Sequence, residues 1–234
     1  MPHSTAILQV LHHHTLFTQD EILELTPLVE QGYCNQNYLL RTQNNRYILR
    51  VFGTEDRDRA LEYQIQTEAY RLGIAPQTYC LDTEQTYMIS EYIQGKHKTT
   101  LSSGNLHSLA QQLRLLHSIE IDTPPTILAI PNTESTPVAQ FSHEPVLCHN
   151  DLNPQNLLWR ETDLMLIDWE YAGSNDRYFD LASVVVEFGL GELERGILME
   201  AYFQPILWDR EKLETYTRLY REVCQQWWDS RTPK

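Results

Sequence analysis

Cys148-His149-Asn150-Asp151-Leu152-Asn153-Pro154-Gln155-Asn156-Leu157-Leu158, followed by Leu166-Ile167-Asp168-Trp169-Glu170-Tyr171, is the stretch from which the chain is most readily understood. Three apolar runs frame it: Pro145-Val146-Leu147-Cys148, Leu157-Leu158-Trp159 and Leu164-Met165-Leu166-Ile167. Runs this short, bounded by turn formers, predict buried strands. Two polar loops then emerge from one rigid frame and hold Asp151, Asn156 and Asp168 close together. Asn153-Pro154 alone would mark an ordinary loop. The spacing inside a strand-loop-strand-loop context sets this stretch apart.

Asp151 and Asn156 stand five positions apart, the interval of the base and the metal-binding amide in the loop H-x-D-x-x-x-x-N of phosphoryl-transfer enzymes, and Asp168 takes the place of the second metal ligand. A phosphoryl group in flight carries charge on its oxygens, so catalysis is mostly positioning and neutralisation. Mg²⁺ requires hard oxygen donors. The Asp168 carboxylate and the Asn156 amide oxygen supply them, and Asp151 is left to accept a hydroxyl proton.

His149-Asn150-Asp151, Ile167-Asp168-Trp169-Glu170-Tyr171 and Phe179-Asp180-Leu181-Ala182 together resemble the choline kinase, thiamine kinase and aminoglycoside phosphotransferase superfamily. The likeness runs from about Leu25 to Phe188 and is densest between Leu147 and Glu187. It implies an α+β, two-lobed protein-kinase-like fold, with a small antiparallel-sheet N-lobe over 1-94 and a mainly helical C-lobe over 95-234. ATP and Mg²⁺ are the implied cofactors. In the first lobe the resemblance implies nucleotide contacts by Asn35, by Arg50 in the place of a lysine, and by the backbone of Glu91 and Ile93 against adenine. It favours Glu62 as the partner of Arg50, although periodicity leaves Glu62 and Glu68 equivalent. In the second lobe it implies that Glu187 faces the acceptor's cation, with Glu170 assisting and Trp227 or Trp228 as an aromatic wall. A guanidinium at position 50 keeps the charge and offers two bonds to phosphate oxygens; the residue-level alternative is an exposed edge position.

Working outward, residues 1 to 24 predict a helix with Ile7, Leu8, Leu11, Ile22 and Leu23 as its apolar positions. His12-His13-His14 point in directions about 100° apart on a helix, so a solvated surface is expected rather than a metal site. Strands are expected at Leu25 to Val29, Tyr38 to Leu40 and Tyr47 to Phe52, with Asn44-Asn45 as a hairpin turn. The loop from Gln31 to Asn37 falls where the phosphate-covering loop belongs, with Cys34 where the family usually carries a hydroxyl. Residues 56 to 72 predict a helix with a stripe of Leu61, Ile65, Ala69 and Leu72, ended by Gly73 and Pro76. Thr78 to Leu81 and Thr86 to Ser90 read as strands, followed by a hinge from Glu91 to Gly95. Ser102 or Ser103 caps a helix carrying Leu106, Leu109, Ala110, Leu113 and Leu116.

Residues 119 to 144 are rich in Pro, Ser and Thr and read as a loop. Gly173-Ser174-Asn175-Asp176 reads as a turn, and Asp180 as the residue that opens an apolar helix and holds the loop of Asp151. Glu187 ends that helix, where an unpaired carboxylate would be costly to bury. A final helix over 209 to 228 carries Leu213, Tyr216, Tyr220, Val223 and Trp227 as a core stripe.

With 18 Lys plus Arg against 32 Asp plus Glu, a net charge of −14 argues against nucleic acid and anionic membrane as partners. The four scattered cysteines disfavour a disulfide framework or a zinc site. No apolar run reaches the ~20 residues of a membrane span, and the N-terminus shows no basic-then-apolar signal pattern. A cytoplasmic protein is expected.

These features predict an ATP-dependent phosphotransferase acting on a hydroxyl of a small, cationic metabolite such as thiamine, choline or ethanolamine. An aminoglycoside-type polyol kinase is the enzymatic alternative, and a non-catalytic nucleotide-binding regulator of the same fold the other. A protein substrate is disfavoured, because D-F-G followed by A-P-E is absent from the sequence.

Overall fold

A computed structural model describes residues 11, 14–28, 35–53, 57–126, 136–161 and 163–231. The chain forms two compact units, one made of residues 1–70 and 76–94, the other of 71–75 and 95–234. Among the described residues no helix is long and apolar enough to cross a membrane.

The first unit is a five-stranded antiparallel sheet with one helix. Strands β1 (Ile22–Pro27), β2 (Asn35–Thr42), β3 (Arg46–Phe52), β4 (Thr78–Leu81) and β5 (Tyr87–Glu91) lie in the order β1-β2-β3-β5-β4. Period-two alternation sends Tyr38, Leu40, Tyr47, Leu49 and Ile89 into a core with Leu11, Phe17, Ile22 and Tyr87. The hairpin between β2 and β3 turns at Gln43-Asn44-Asn45 as expected. Asp20 fixes it from outside, accepting Thr42 Oγ1 at 2.6 Å, Asn45 Nδ2 at 2.8 Å and the Asn44 amide at 3.0 Å.

Three expectations need correction here. Ile22 and Leu23 belong to edge strand β1, not to a helix: Ile22 is buried and Leu23 exposed, a strand's alternation. His14 is half-buried rather than on a fully solvated surface; its Nδ1 accepts the Leu16 amide at 3.2 Å and its Nε2 lies 3.2 Å from Cys80 Sγ. His12 and His13, like Ile7, Leu8, Val29 and the loop residues Gln31 to Cys34, lie outside the described residues. Finally, helix α1 (Arg59–Arg71) buries Glu62, Ile65, Gln66 and Ala69, while Leu61 is only half-buried and Leu72 is exposed. The buried face is turned by about one position because its polar members have partners: Glu62 binds two arginines and Gln66 Nε2 donates to the Pro76 carbonyl at 3.2 Å.

In the second unit α2 (Ser103–Leu116) starts at a capping box, Ser102 Oγ accepting from Asn105 N while the Asn105 side chain accepts from Ser102 N. Its Leu106, Leu109, Ala110, Leu113 and Leu116 are fully buried, as the pattern requires. Two ribbons follow. β6 (Pro145–Cys148) pairs with β9 (Gly173–Asp176), and β7 (Leu157–Trp159) pairs with β8 (Leu164–Leu166). The segment Gly173 to Asp176 is therefore a strand rather than a turn. Its turn-forming letters are overruled by partners on two sides, since Pro125 bridges Ser174 and the Thr126 amide donates to the Ser174 carbonyl at 3.0 Å. That contact also draws the start of the Pro-rich segment into regular pairing; residues 127–135 are outside the described set.

Helix α3 (Arg177–Glu187) starts three residues before Asp180, with Asp176 as its N-cap accepting the Tyr178 amide at 3.0 Å. Phe179, Leu181, Ala182, Val184 and Val185 are at most 1% exposed, which makes α3 the axis of this unit. Helices α4 (Glu192–Phe203) and α5 (Arg210–Arg231) complete it. On α5, Leu213, Tyr216 and Tyr220 are buried as expected, while Val223 and Trp227 are half-buried. At Gly95 a Cβ would stand 2.6 Å from Leu158 Cγ and 2.9 Å from the Trp159 carbonyl oxygen, so the Lys96–Trp159 bridge beside it requires glycine.

Candidate active site

In the first unit β3 sends Tyr47 and Leu49 to the core face and Arg50 to the other, where α1 lies. Arg50 is central in the sheet, between β2 and β5, and its side chain is 12% exposed, so it is not an edge residue. Arg50 Nη1 meets Glu62 Oε1 at 2.6 Å, and Arg59 Nη1 meets Glu62 Oε2 at 2.7 Å. One buried carboxylate is thus shared by two guanidinium groups. Geometry answers what periodicity left open: Glu62 pairs with Arg50. Asn35, at the start of β2, accepts from Arg59 Nη2 at 3.4 Å. Glu91 ends β5, and its carboxylate accepts the Gln77 amide at 3.3 Å. Ile93 follows in a half-buried segment without regular secondary structure.

In the second unit Asp151 and Asn156 lie in the loop between β6 and β7, and Asp168 in the loop between β8 and β9. Asn156 is buried, and its Nδ2 donates to the Asp151 carbonyl oxygen and to Asp151 Oδ2, both at 2.8 Å. Asn153 Nδ2 donates to Asp151 Oδ1 at 2.9 Å. With both Asn156 bonds made by nitrogen, its amide oxygen is left for another partner. Burial pushes the Asp151 carboxyl up; the Asp168 charge adds to this, against the His149 ring and the two amide bonds. Two neighbouring carboxylates and an amide oxygen form a hard-oxygen donor set, which fits Mg²⁺. Asp168 and Asn156 are the residues that would hold it.

Backbone conformation aims these groups. Asn150 and Asp168 both adopt left-handed φ, 67° and 65°, a region in which non-glycine residues cluster at functional loops. Asn150 is held by its side chain, Nδ2 donating to the Tyr171 carbonyl at 3.0 Å and Oδ1 accepting from Asn175 Nδ2 at 2.8 Å. His149 ties the two loops together, its Nε2 3.0 Å from the Ile167 carbonyl and its ring 4.8 Å from that of Trp169. Asp180 accepts the His149 amide at 2.9 Å and the Asn150 amide at 2.8 Å. It holds the Asp151 loop as expected, from within α3 rather than as its cap.

Glu187 is not unpaired: it accepts the Tyr220 hydroxyl at 3.0 Å. Burial pushes its carboxyl up, the charge of Asp151 adds to this, and the Tyr220 bond opposes it. Cys224 feels the charges of both Glu187 and Asp151, so the three share one neighbourhood. Tyr220, Cys224 and Trp227 follow at i, i+4 and i+7 on one face of α5, and Trp227 Nε1 donates to the Tyr171 hydroxyl at 3.1 Å. Trp228 is 51% exposed and stands edge-on to Trp227. Glu170 is half-buried beside Tyr171. Tyr220 read as a core residue, and Tyr171 and Cys224 carried no contact signal in the sequence, because their neighbours Trp227 and Glu187 come from distant segments. Asn175 escaped because it read as a turn.

The sequence model of the phosphotransferase enzyme family matches residues 26–136 and 129–216. Protein LicA of Haemophilus influenzae is 24% identical over 205 residues, covering 73% of this chain and 60% of its own. The chain thus spans about three fifths of that relative's length. A thiamine kinase of Escherichia coli O1:K1 / APEC is 26% identical over 200 residues, covering 73% of this chain and 72% of its own. The crystal structure of choline kinase LicA from Streptococcus pneumoniae superposes with a TM-score of 0.78 at 21% identity, over 97% of this chain and 93% of that one. The shared fold is α+β, with a five-stranded antiparallel sheet followed by a helical part.

Proposed function

We propose, from the premise that the chain belongs to the phosphotransferase enzyme family, that it transfers the γ-phosphoryl group of ATP to a hydroxyl of a small cationic alcohol, of the choline, ethanolamine or thiamine kind. The acceptor oxygen forms the new bond to phosphorus as the bond to the ADP oxygen breaks, and Asp151 takes the hydroxyl proton. A carboxyl raised by burial is a stronger base than one in water, and it is already held by two asparagine amides. Mg²⁺, when bound by Asp168 and Asn156, supplies charge neutralisation for the phosphate oxygens. Arg50, with Arg59 at the shared Glu62, supplies cationic groups for the nucleotide's phosphates. Asn35 and the backbone of Glu91 and Ile93 complete the proposed nucleotide contacts.

The observation that carries the cationic acceptor is the crowding of negative charge at Glu187. Burial and the charge of Asp151 both raise the cost of ionising Glu187, which is half-buried and bonded to the Tyr220 hydroxyl, while Trp227, two turns further along α5, bonds Tyr171. A cation placed there relieves both charges and meets aromatic faces. Glu170 and Trp228 are proposed as outer contributors.

Glu187→Gln tests this on two axes. It keeps the Tyr220 bond and removes the charge, so KM for choline or thiamine should rise by about tenfold or more while KM for ATP changes little. The second axis is stability. Glu187 has a raised folded pKa, so its contribution is fully present below the unfolded value and is lost as pH rises through the folded one. A permanently neutral glutamine should therefore melt above the native chain at pH 7 without acceptor, the gap closing as pH falls. Equal KM values for the best cationic alcohol would overturn the cation reading and advance the polyol alternative.

A further inference from the structure

Beneath the Asp151 loop lies a hydrogen-bonded chain of side chains that the transfer reaction does not use directly. His117 caps the C-terminus of α2. Its Nε2 meets Asp180 Oδ2 at 3.0 Å, and its Nδ1 meets the Tyr202 hydroxyl at 2.6 Å. Asp180 passes the connection on, Oδ2 accepting the His149 amide and Oδ1 the Asn150 amide. Three helices, α2, α3 and α4, thus reach the backbone of the residue immediately before Asp151.

The tautomer follows from the partners. A carboxylate only accepts, so the imidazole hydrogen sits on Nε2 and Nδ1 is left as an acceptor. Tyr202 fills that role as donor, and burial pushes its phenol pKa up, which keeps the proton on oxygen. His117, Asp180 and Cys148 also bring three metal-ligating atoms within 4.8 Å of one another. Their chemistry argues for hydrogen bonds instead of a metal. Burial pushes the Cys148 thiol well above its ordinary value, and Sγ lies 3.6 Å from each of the Asn175 and Asp176 carbonyls. Both Asp180 oxygens already accept backbone amides.

We infer that His117 is a positioning residue for the transfer, with Tyr202 setting its tautomer: together they orient Asp180, which fixes the left-handed Asn150 turn and so the aim of Asp151. The kinetic part rests on the proposed function; the structural part stands without it. An alternative explanation, that the ring merely fills space, makes a different prediction. Glutamine can place its Nε2 hydrogens near those of the imidazole, and leucine fills the space without a donor.

The experiment compares the native chain with His117→Leu, His117→Gln and Tyr202→Phe, measuring steady-state kinetics with MgATP and choline or thiamine, and amide hydrogen exchange across residues 148–152. His117→Leu should lower kcat by about 10- to 100-fold with KM for ATP within about twofold, as expected for a base misplaced by a fraction of an ångström. Exchange of the His149 and Asn150 amides should quicken by about 10-fold or more, since Asp180 loses its brace. His117→Gln should recover most of both losses. Tyr202→Phe, which removes one oxygen and no volume, should show the same pattern at a few-fold amplitude and serves if His117→Leu does not fold. Native exchange in both His117→Leu and Tyr202→Phe overturns the inference, as does a glutamine variant no better than leucine. If the native chain turns over neither acceptor, the functional reading fails and the exchange rates alone decide the brace.

Discussion

Asp151→Asn is expected to lower kcat by about 10²- to 10⁴-fold, the usual cost of removing a general base. The substitution is conservative in shape. Asn156 Nδ2 still finds the backbone carbonyl of residue 151, and one amide oxygen remains to accept from Asn153 or Asn156. What disappears is the ability to take a proton. Nucleotide affinity should therefore stay near that of the native chain, because Asp168 and Asn156 are untouched. Asp168→Ala provides the contrast: loss of that carboxylate should weaken MgATP binding by about tenfold or more, as for removal of a metal's charged ligand. Steady-state kinetics paired with isothermal titration separates the two. Undiminished kcat in Asp151→Asn would remove that residue from the mechanism, and unchanged MgATP affinity in Asp168→Ala would remove the metal assignment.

Asp180→Asn should be the most destabilising single-atom change in the second unit. The carboxylate is 0% exposed and receives the amides of His149 and Asn150 and the imidazole of His117. An amide in the same place turns one acceptor oxygen into a donor, so at least one buried N–H faces another donor with no water to replace the lost bond. Breaking a buried charged network from one side costs about 3–5 kcal/mol. For a protein of this size each kcal/mol lowers Tm by roughly 2–4 °C, so a fall of roughly 6–20 °C is expected by calorimetry. A Tm unchanged within error would mean that the Asp151 loop is held by its other contacts. Asn150, through its side-chain bonds to Tyr171 and Asn175, would be the first candidate.

The grouping of the proposed metal and base residues was legible because it is carried by spacing along the chain. Asp151, Asn156 and Asp168 need only short flanking strands to bring them together, and β6, β7 and β8 are local in sequence. Residues whose meaning depends on distant partners were not legible. His117 lies 63 positions from Asp180 and 85 from Tyr202, and alone it reads as a histidine past the end of a helix. Glu62 looked equivalent to Glu68 until the sheet placed Arg50 opposite one of them. The polar face of α1 misled in the same way: apolar periodicity assumes that buried positions are apolar, and Glu62 and Gln66 are buried because strands elsewhere supply their partners. At Gly173 to Asp176, residue types that favour turns were outweighed by ladder bonds to β6 and by the contact with Thr126.

The nesting of the two ribbons has a consequence for how this chain tolerates insertions. β6 pairs with β9 and β7 with β8, so the Asp151 loop and the Asp168 loop both leave the ribbons at their shared junction. The turn joining β7 to β8, closed by the Arg160 amide on the Asp163 carbonyl at 2.8 Å, is at the opposite end. Residues added at that turn lengthen the chain without altering the register that sets Asp151 against Asp168. Residues added between β6 and β7, or between β8 and β9, shift one acid relative to the other. Length is thus free at the far tip and fixed at the junction, which makes the link between β7 and β8 the natural place to graft a label or an affinity tag.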